Sequence, residues 1–247
     1  MVEFTADSMV PRRVWTEMAY GNSLLDRLDA DASASLFSDL ELVDYALLDR
    51  LDDDGAIEHV VFPASVVVSL LTRSENGGPI ELVTVGNEGF IGVPVLLGAD
   101  SFLPGEFAQC QVPGSAWRLE RARFEALLEE NRAVWQLMAK YVQAYQSLLA
   151  RQVLCNLLHG VDQRVARWLL VTGDRAHSAE FPLTQDFLSE MLGVRRASVN
   201  VAERRLQADG LIEYGRGRMR LLDRPGLELL ACRCYSVMNE RFDQLLN

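Results

Sequence analysis

From Arg121 to His159 the chain runs 39 residues without a glycine or a proline, and no other feature limits its folding as strongly. Such a run reads as helix, about 58 Å long at ~1.5 Å of rise per residue. Val134, Tyr141, Leu148 and Cys155 recur every seven residues, and Leu137, Ala144, Arg151 and Leu158 fall three places later. This is an a/d seam with one polar interruption at Arg151. A helix packed only on its own domain carries a broader stripe and seldom needs this length. The spacing therefore predicts a dimerisation helix over 121–159 that pairs with a second copy of the chain. Gly160 ends it and is expected to act as a hinge.

Before this helix the texture is β. Residues 1–22 read as a tail, and 23–51 as short helical patterns (Leu24, Leu25, Leu28, then Leu40, Val43, Leu47, Leu51) ending in the turn Asp52-Asp53-Asp54-Gly55. Apolar, β-branched runs follow at Ile57–Phe62, Val66–Leu71, Ile80–Val85, Phe90–Leu97, Phe107–Val112 and Ala116–Leu119, separated by Gly/Pro turns. Short, closely spaced strands of this kind predict a sandwich or barrel, so 23–120 is expected to be one β domain.

After the helix comes a segment with the order of a DNA reader. A helix over about 162–172 precedes a polar link. Thr184 can cap the next helix, which buries Phe187, Leu188, Met191 and Leu192. Gly193 suits a tight turn needing positive φ. A second helix, about 196–209, buries Val199, Ala202 and Leu206 and displays Arg195, Arg196, Ser198 and Asn200 in its first turn. Side chains at a helix N-terminus can reach base edges and phosphates in a major groove. Gly215-Arg216-Gly217 followed by Arg218 reads as a hairpin wing tipped with arginine. These elements make 160–224 a winged helix-turn-helix, and Pro225 starts a last helix over 225–247.

Charge agrees once it is read locally. The net charge is −11, but residues 1–60 hold 14 acids against four arginines, whereas 182–224 hold eight arginines against six acids. Lys140 is the single lysine, and arginine is the cation suited to bidentate contact with phosphate and guanine. The longest apolar stretch, Val60–Leu71, is broken by Pro63, Ser65 and Ser69, so neither a signal peptide nor a membrane span is expected and the cytoplasm is the expected compartment. No phosphate loop and no Ser/His/Asp ordering points to an enzyme. Cys155 and His159 have a legal i,i+4 metal-ligand spacing, but a small buried thiol and a helix-end imidazole are the preferred reading, with no metal or other cofactor expected. Cys232 and Cys234 are expected to point apart on one helix.

Across about 35–224 the order of these elements resembles the cyclic-AMP receptor / fumarate–nitrate reduction regulator (Crp/Fnr) family. The resemblance rests on Phe90-Ile91-Gly92 after Gly86-Asn87-Glu88-Gly89, on the long helix and Gly160, and on Arg164-Val165-Ala166-Arg167-Trp168-Leu169-Leu170. Leu183-Thr184-Gln185, Met191-Leu192-Gly193-Val194-Arg195-Arg196 and Gly210-Leu211-Ile212 complete it. It implies an α+β chain: an N-terminal β jelly-roll sensor of the cyclic-nucleotide-binding type, a dimer helix and a C-terminal winged helix. It further implies that Arg196 contacts a base, Ser198 a phosphate, and Thr184 and Gln185 the backbone of double-stranded DNA, with RNA polymerase as a further partner. Ala197 stands where the family commonly has a glutamate for cytosine, so a different operator is expected. The cassette departs further. Val93 and Pro94 follow Ile91-Gly92 where cyclic-nucleotide binders place a ribose-binding glutamate, and Pro104 or Gly105 falls near the phosphate-binding arginine position. Between Ser74 and Trp117 there are five acids and no arginine or lysine. A buried phosphodiester needs a cation or aligned N–H donors, so no cyclic-nucleotide binding is expected and an effector, if there is one, is of another class. The other reading is a ligand-free module that works by docking a protein.

Overall fold

A computed structural model describes residues 20–52, 55–73 and 78–246. A short 3-10 turn (Leu25–Arg27) and helix α1 (Ala30–Phe37) lead into β1 (Glu41–Tyr45), β2 (His59–Pro63), β3 (Val67–Arg73) and β4 (Pro79–Val85). Helix α2 (Val93–Leu96), β5 (Glu106–Val112) and β6 (Gly114–Glu120) complete the first half. Two antiparallel three-stranded sheets, β1-β6-β2 and β4-β3-β5, form the roll. The period-two alternation of strands assigns the faces. Val68 and Leu70 of β3, with Ala108 and Cys110 of β5, join Val60, Phe62 and Leu119 in the interior core. Val67 and Leu71 of β3, with Phe107 of β5, turn outward into a second core built on the C-terminal half.

Four expectations change here. The expected tail lies outside the described residues up to 19, while Tyr20 and Asn22 are buried and tied to the roll. Asn22 Nδ2 donates to the carbonyls of Pro63 and Gly89, at 2.8 and 2.9 Å. The Leu40–Leu51 pattern is not helical: Leu42 and Val43 lie in β1, paired with Trp117 and Ala116 of β6. Phe90–Leu97 is not a strand. Ile91 makes one bridge to Val61, and the chain then coils into α2. The single 39-residue helix is two, α3 (Arg121–Glu130) and α4 (Arg132–Leu158). Asn131 breaks it without Gly or Pro. Its backbone is extended, and its Oδ1 accepts from the N–H groups of Ala133 and Val134, capping α4.

The second half contains α5 (Val161–Arg175), β7 (Glu180–Pro182), α6 (Gln185–Leu192) and α7 (Arg196–Ala208). Then come β8 (Ile212–Gly215), β9 (Arg218–Leu221), α8 (Arg224–Leu230) and α9 (Cys234–Leu246). The expected single C-terminal helix is therefore two, α8 and α9, with 231–233 between them. Helix α5 buries residues on every side because it is packed between the β4-β3-β5 sheet and the helix-turn-helix. Helix α9 lies along α4, where Met238 and Phe242 reach the interior core. No helix among the described residues is long and apolar enough to cross a membrane.

Candidate nucleic-acid interface

Thr184 caps α6 as its position predicts, with Oγ1 accepting from the Phe187 N–H at 3.2 Å. Gly193 closes α6 at φ 62, a conformation that disfavours any Cβ, and the chain re-enters helix at Arg196. Leu188, Met191 and Leu192 of α6 pack against Val199, Ala202 and Leu206 of α7. Burying these positions forces the opposite face of α7 outward. Arg195, Arg196 and Ala197 are exposed at its N-terminus, and Ser198 and Asn200 are half-buried beside them.

Arg196 Nε lies 3.2 Å from Asp186 Oδ1, with both side chains mostly in solvent. An exposed pair of this kind contributes about 0–1 kcal/mol and gives way easily to a phosphate or base. Gln185 and Asn200 are committed differently. Gln185 Nε2 donates to Glu203 Oε2 at 2.6 Å, and Asn200 Nδ2 donates to Gln185 Oε1 at 3.3 Å. Burial pushes the Glu203 carboxyl above its ordinary pKa, and the Gln185 hydrogen bond draws it part of the way back. These three side chains tie α6 to α7 and set the angle at which the arginines are shown.

The wing is a two-residue hairpin. Arg216 and Gly217 both have positive φ, 52 and 74, the signature of the tight turn whose twist matches its strands. Arg216 and Arg218 are exposed at its tip, Arg218 in a 2.6 Å pair with Glu180.

Beneath the reader lies a polar joint that the sequence did not announce. Glu81 of β4 is wholly buried; its Oε2 accepts from the indole N–H of Trp168 at 2.8 Å, and its Oε1 meets the hydroxyls of Ser69 and Thr84. Gln111 Nε2 donates to Thr172 Oγ1 of α5 at 2.7 Å. Ser69 has one proton and faces two acceptors, Glu81 Oε1 at 2.7 Å and Gln111 Oε1 at 2.8 Å. With Gln111 so oriented, both contacts are hydrogen bonds at once when Glu81 is protonated and donates to Ser69. Burial pushes the Glu81 pKa up, in the same direction. Arg175 and Glu88, 2.7 Å apart, pin the far end of α5 to the roll.

The residues of the expected dimer seam separate. Val134, Tyr141, Ala144, Leu148 and Cys155 are buried in the chain's own core, Leu137 and Arg151 are half-buried, and Leu158 is 72% exposed. Tyr141 packs on Phe90, 5.1 Å between ring centres, and Phe90 in turn on Phe62 and Phe124. This ring cluster lies in the interior core beneath the cassette-like segment. The apolar side chains that α4 leaves in solvent lie elsewhere: Trp135 at 46%, Val153 at 61% and Leu157 at 77%. Gly160 caps α5 with an ordinary φ of −66 and open space around it, so neither backbone strain nor crowding requires glycine there.

Cys232 and Cys234 do not share a helix. Cys232 lies in the link before α9 and Cys234 opens α9, and the fold brings both to Cys155 and His159 at the end of α4. The one-residue spacing of 232 and 234 was visible in the sequence. What could not be read was that α9 doubles back along α4.

Residues 163–230 match the Crp-like helix-turn-helix domain. The fold is similar to that of FixK2 from Bradyrhizobium japonicum, at 17% identity and a TM-score of 0.65, over 78% of this chain and 98% of that one. It is similar to TTHB099, a CRP-family transcriptional regulator from Thermus thermophilus, at 18% identity and a TM-score of 0.63, over 76% and 96%. It is also similar to the c-di-GMP-responsive global regulator CLP of Xanthomonas campestris, at 17% identity and a TM-score of 0.61, over 79% and 100%. No curated protein matches the chain by sequence.

Proposed function

From a chain with the Crp/Fnr-regulator fold and a Crp-like helix-turn-helix domain, we propose a homodimeric, sequence-specific regulator of transcription rather than an enzyme, acting on double-stranded DNA in the cytoplasm. The observation that carries this reading is the N-terminus of α7. Arg195, Arg196 and Ala197 stand in solvent on a helix whose other face is locked into the core. Arg196 reads a base, Ser198 and Thr184 hold phosphates, and Arg216 and Arg218 of the wing reach the flanking backbone. Gln185 and Asn200 serve mainly to fix α6 against α7. RNA polymerase is the onward partner.

The dimer forms through the solvent face of α4, next to the seam that the sequence suggested. Trp135, Gln146 and Val153 are exposed there and Ala139 is half-buried, with Ala139, Gln146 and Val153 repeating every seven residues. The sensor takes no cyclic nucleotide, because the rings of Phe62, Phe90, Phe124 and Tyr141 occupy its interior and the cassette segment brings no cation.

The test is a titration of labelled duplex from the chain's own upstream DNA, at fixed salt. Wild type is expected to bind a near-palindromic site, with and without cyclic AMP, at one affinity. Arg196→Ala is expected to weaken specific binding by about 1–3 kcal/mol, roughly 5- to 150-fold. Unchanged binding in Arg196→Ala would favour the protein-docking module, and a cyclic-AMP-dependent gain would restore a nucleotide site.

A further inference from the structure

At the end of α4, Cys155 and His159 sit one turn apart on the same face, and the link into α9 brings Cys232 and Cys234 to them. One donor atom from each of the four residues lies within 4.8 Å of all the others. Cys155 Sγ is 3.4 Å from Cys232 Sγ, and His159 Nδ1 is 3.7 Å from Cys234 Sγ. Donors around one tetrahedral zinc, with Zn–S near 2.3 Å and Zn–N near 2.0 Å, stand about 3.5–3.8 Å apart. We propose that Cys155, His159, Cys232 and Cys234 form a Cys3His site for a single zinc ion.

Three further observations fit this centre. All three thiols are buried while His159 is half-exposed, which gives the ion a way in from solvent. Zinc with three thiolates and a neutral imidazole has a net charge of −1, and two arginines of α5 supply the counter-charge. Arg164 lies near Cys155 and Cys232, and Arg167 near Cys155. Arg167, which also lies in electrostatic range of the Glu81 carboxyl, is buried with Nε and Nη2 lacking a hydrogen-bond partner, an arrangement that favours a nearby anion. Arg164 also donates to the Leu192 carbonyl at the C-terminus of α6, so the centre's counter-ion holds the first helix of the reader.

Other uses of the cluster account for less. A Cys155–Cys232 disulfide leaves Cys234 and His159 without a role. An iron–sulfur cluster spreads its thiolates over several irons, whereas these donors converge on one point. On binding, three Zn–S bonds form and the thiol protons leave to solvent, so affinity rises with pH. The ion joins α4 to the α8–α9 link at the place where the long helix hands over to α5.

The full-length chain, purified under reducing, anaerobic conditions, is stripped and titrated with Co2+ and then with Zn2+. One equivalent of Co2+ per chain is expected, with thiolate-to-cobalt charge transfer and tetrahedral ligand-field bands, all displaced by Zn2+. Cys234→Ser and His159→Ala are expected to lower metal affinity at least about tenfold, and Cys110→Ser, at the remote fourth cysteine, to leave it unchanged. Should a variant fail to fold, the wild-type titration decides alone. Co2+ bound without thiolate bands, acid-labile sulfide, a 155–232 disulfide in the reduced preparation, or equal loss in Cys110→Ser would each overturn the site. DNA affinity is measured separately, so failure to bind DNA with the metal retained would sink the proposed function and leave the zinc site standing.

Discussion

In the helix-turn-helix, Arg195, Arg196 and Ala197 stand in solvent, whereas in the roll Glu81, Ser69 and Gln111 are sealed beneath α5. Both sets lie on regular elements, and they differ in what holds them. The exposed set is placed by local rules: a Thr184 cap, a Gly193 turn and an apolar face every three or four residues. The sealed set is placed by contacts that span up to 87 residues of sequence, as from Glu81 to Trp168. A reader of DNA must show its chemistry, and so its sequence shows it too. A joint between domains must hide its chemistry, and its residues look like ordinary strand positions until the partners are known.

The contrast can be broken at several points, and the largest effect is expected in the roll. Phe124 touches Phe62 and Phe90 and is fully buried, so Phe124→Ala is expected to cost about 3–5 kcal/mol in denaturant unfolding. A cost below about 1 kcal/mol would mean that the ring cluster leaves room and that the roll is not filled. Next is the solvent face of α4. Val153→Glu is expected to shift sedimentation from dimer to monomer at micromolar concentration while the thermal midpoint changes little. An unshifted dimer would move the interface elsewhere. The smallest effect concerns Glu81. Its folded pKa is raised above the ordinary 4.5, so its contribution to stability is fully present below 4.5 and is lost as pH rises through the folded value. Glu81→Gln keeps the shape and removes the titration. Its stability relative to wild type is therefore expected to grow with pH above 4.5, and a pH-independent difference would show Glu81 ionised in the fold.

Legibility follows the same division. The reader, its wing and the β texture of the sensor are visible in sequence because each rests on neighbours a few residues away. The break at Asn131 escapes a reading that looks for glycine and proline, although asparagine is a good N-cap. The seam at Val134, Tyr141 and Leu148 is a real periodicity with a different neighbour from the one expected: the roll and α9 claim it before a second chain can. Cys232 and Cys234 are separated from Cys155 and His159 by more than 70 residues, and no spacing rule joins across that distance.

Gly193, the turn of the reader, rests against Ile80 of β4, one residue before Glu81. Rotating α5, α6 and α7 together away from the roll therefore opens that contact and takes the Trp168 indole off the Glu81 carboxyl. The hydrogen bond lost is worth about 0.5–1.5 kcal/mol net, which by itself holds a swung-out arrangement to between roughly 30% and 7% of the population. Any stimulus that redirects the arginines must exceed that threshold.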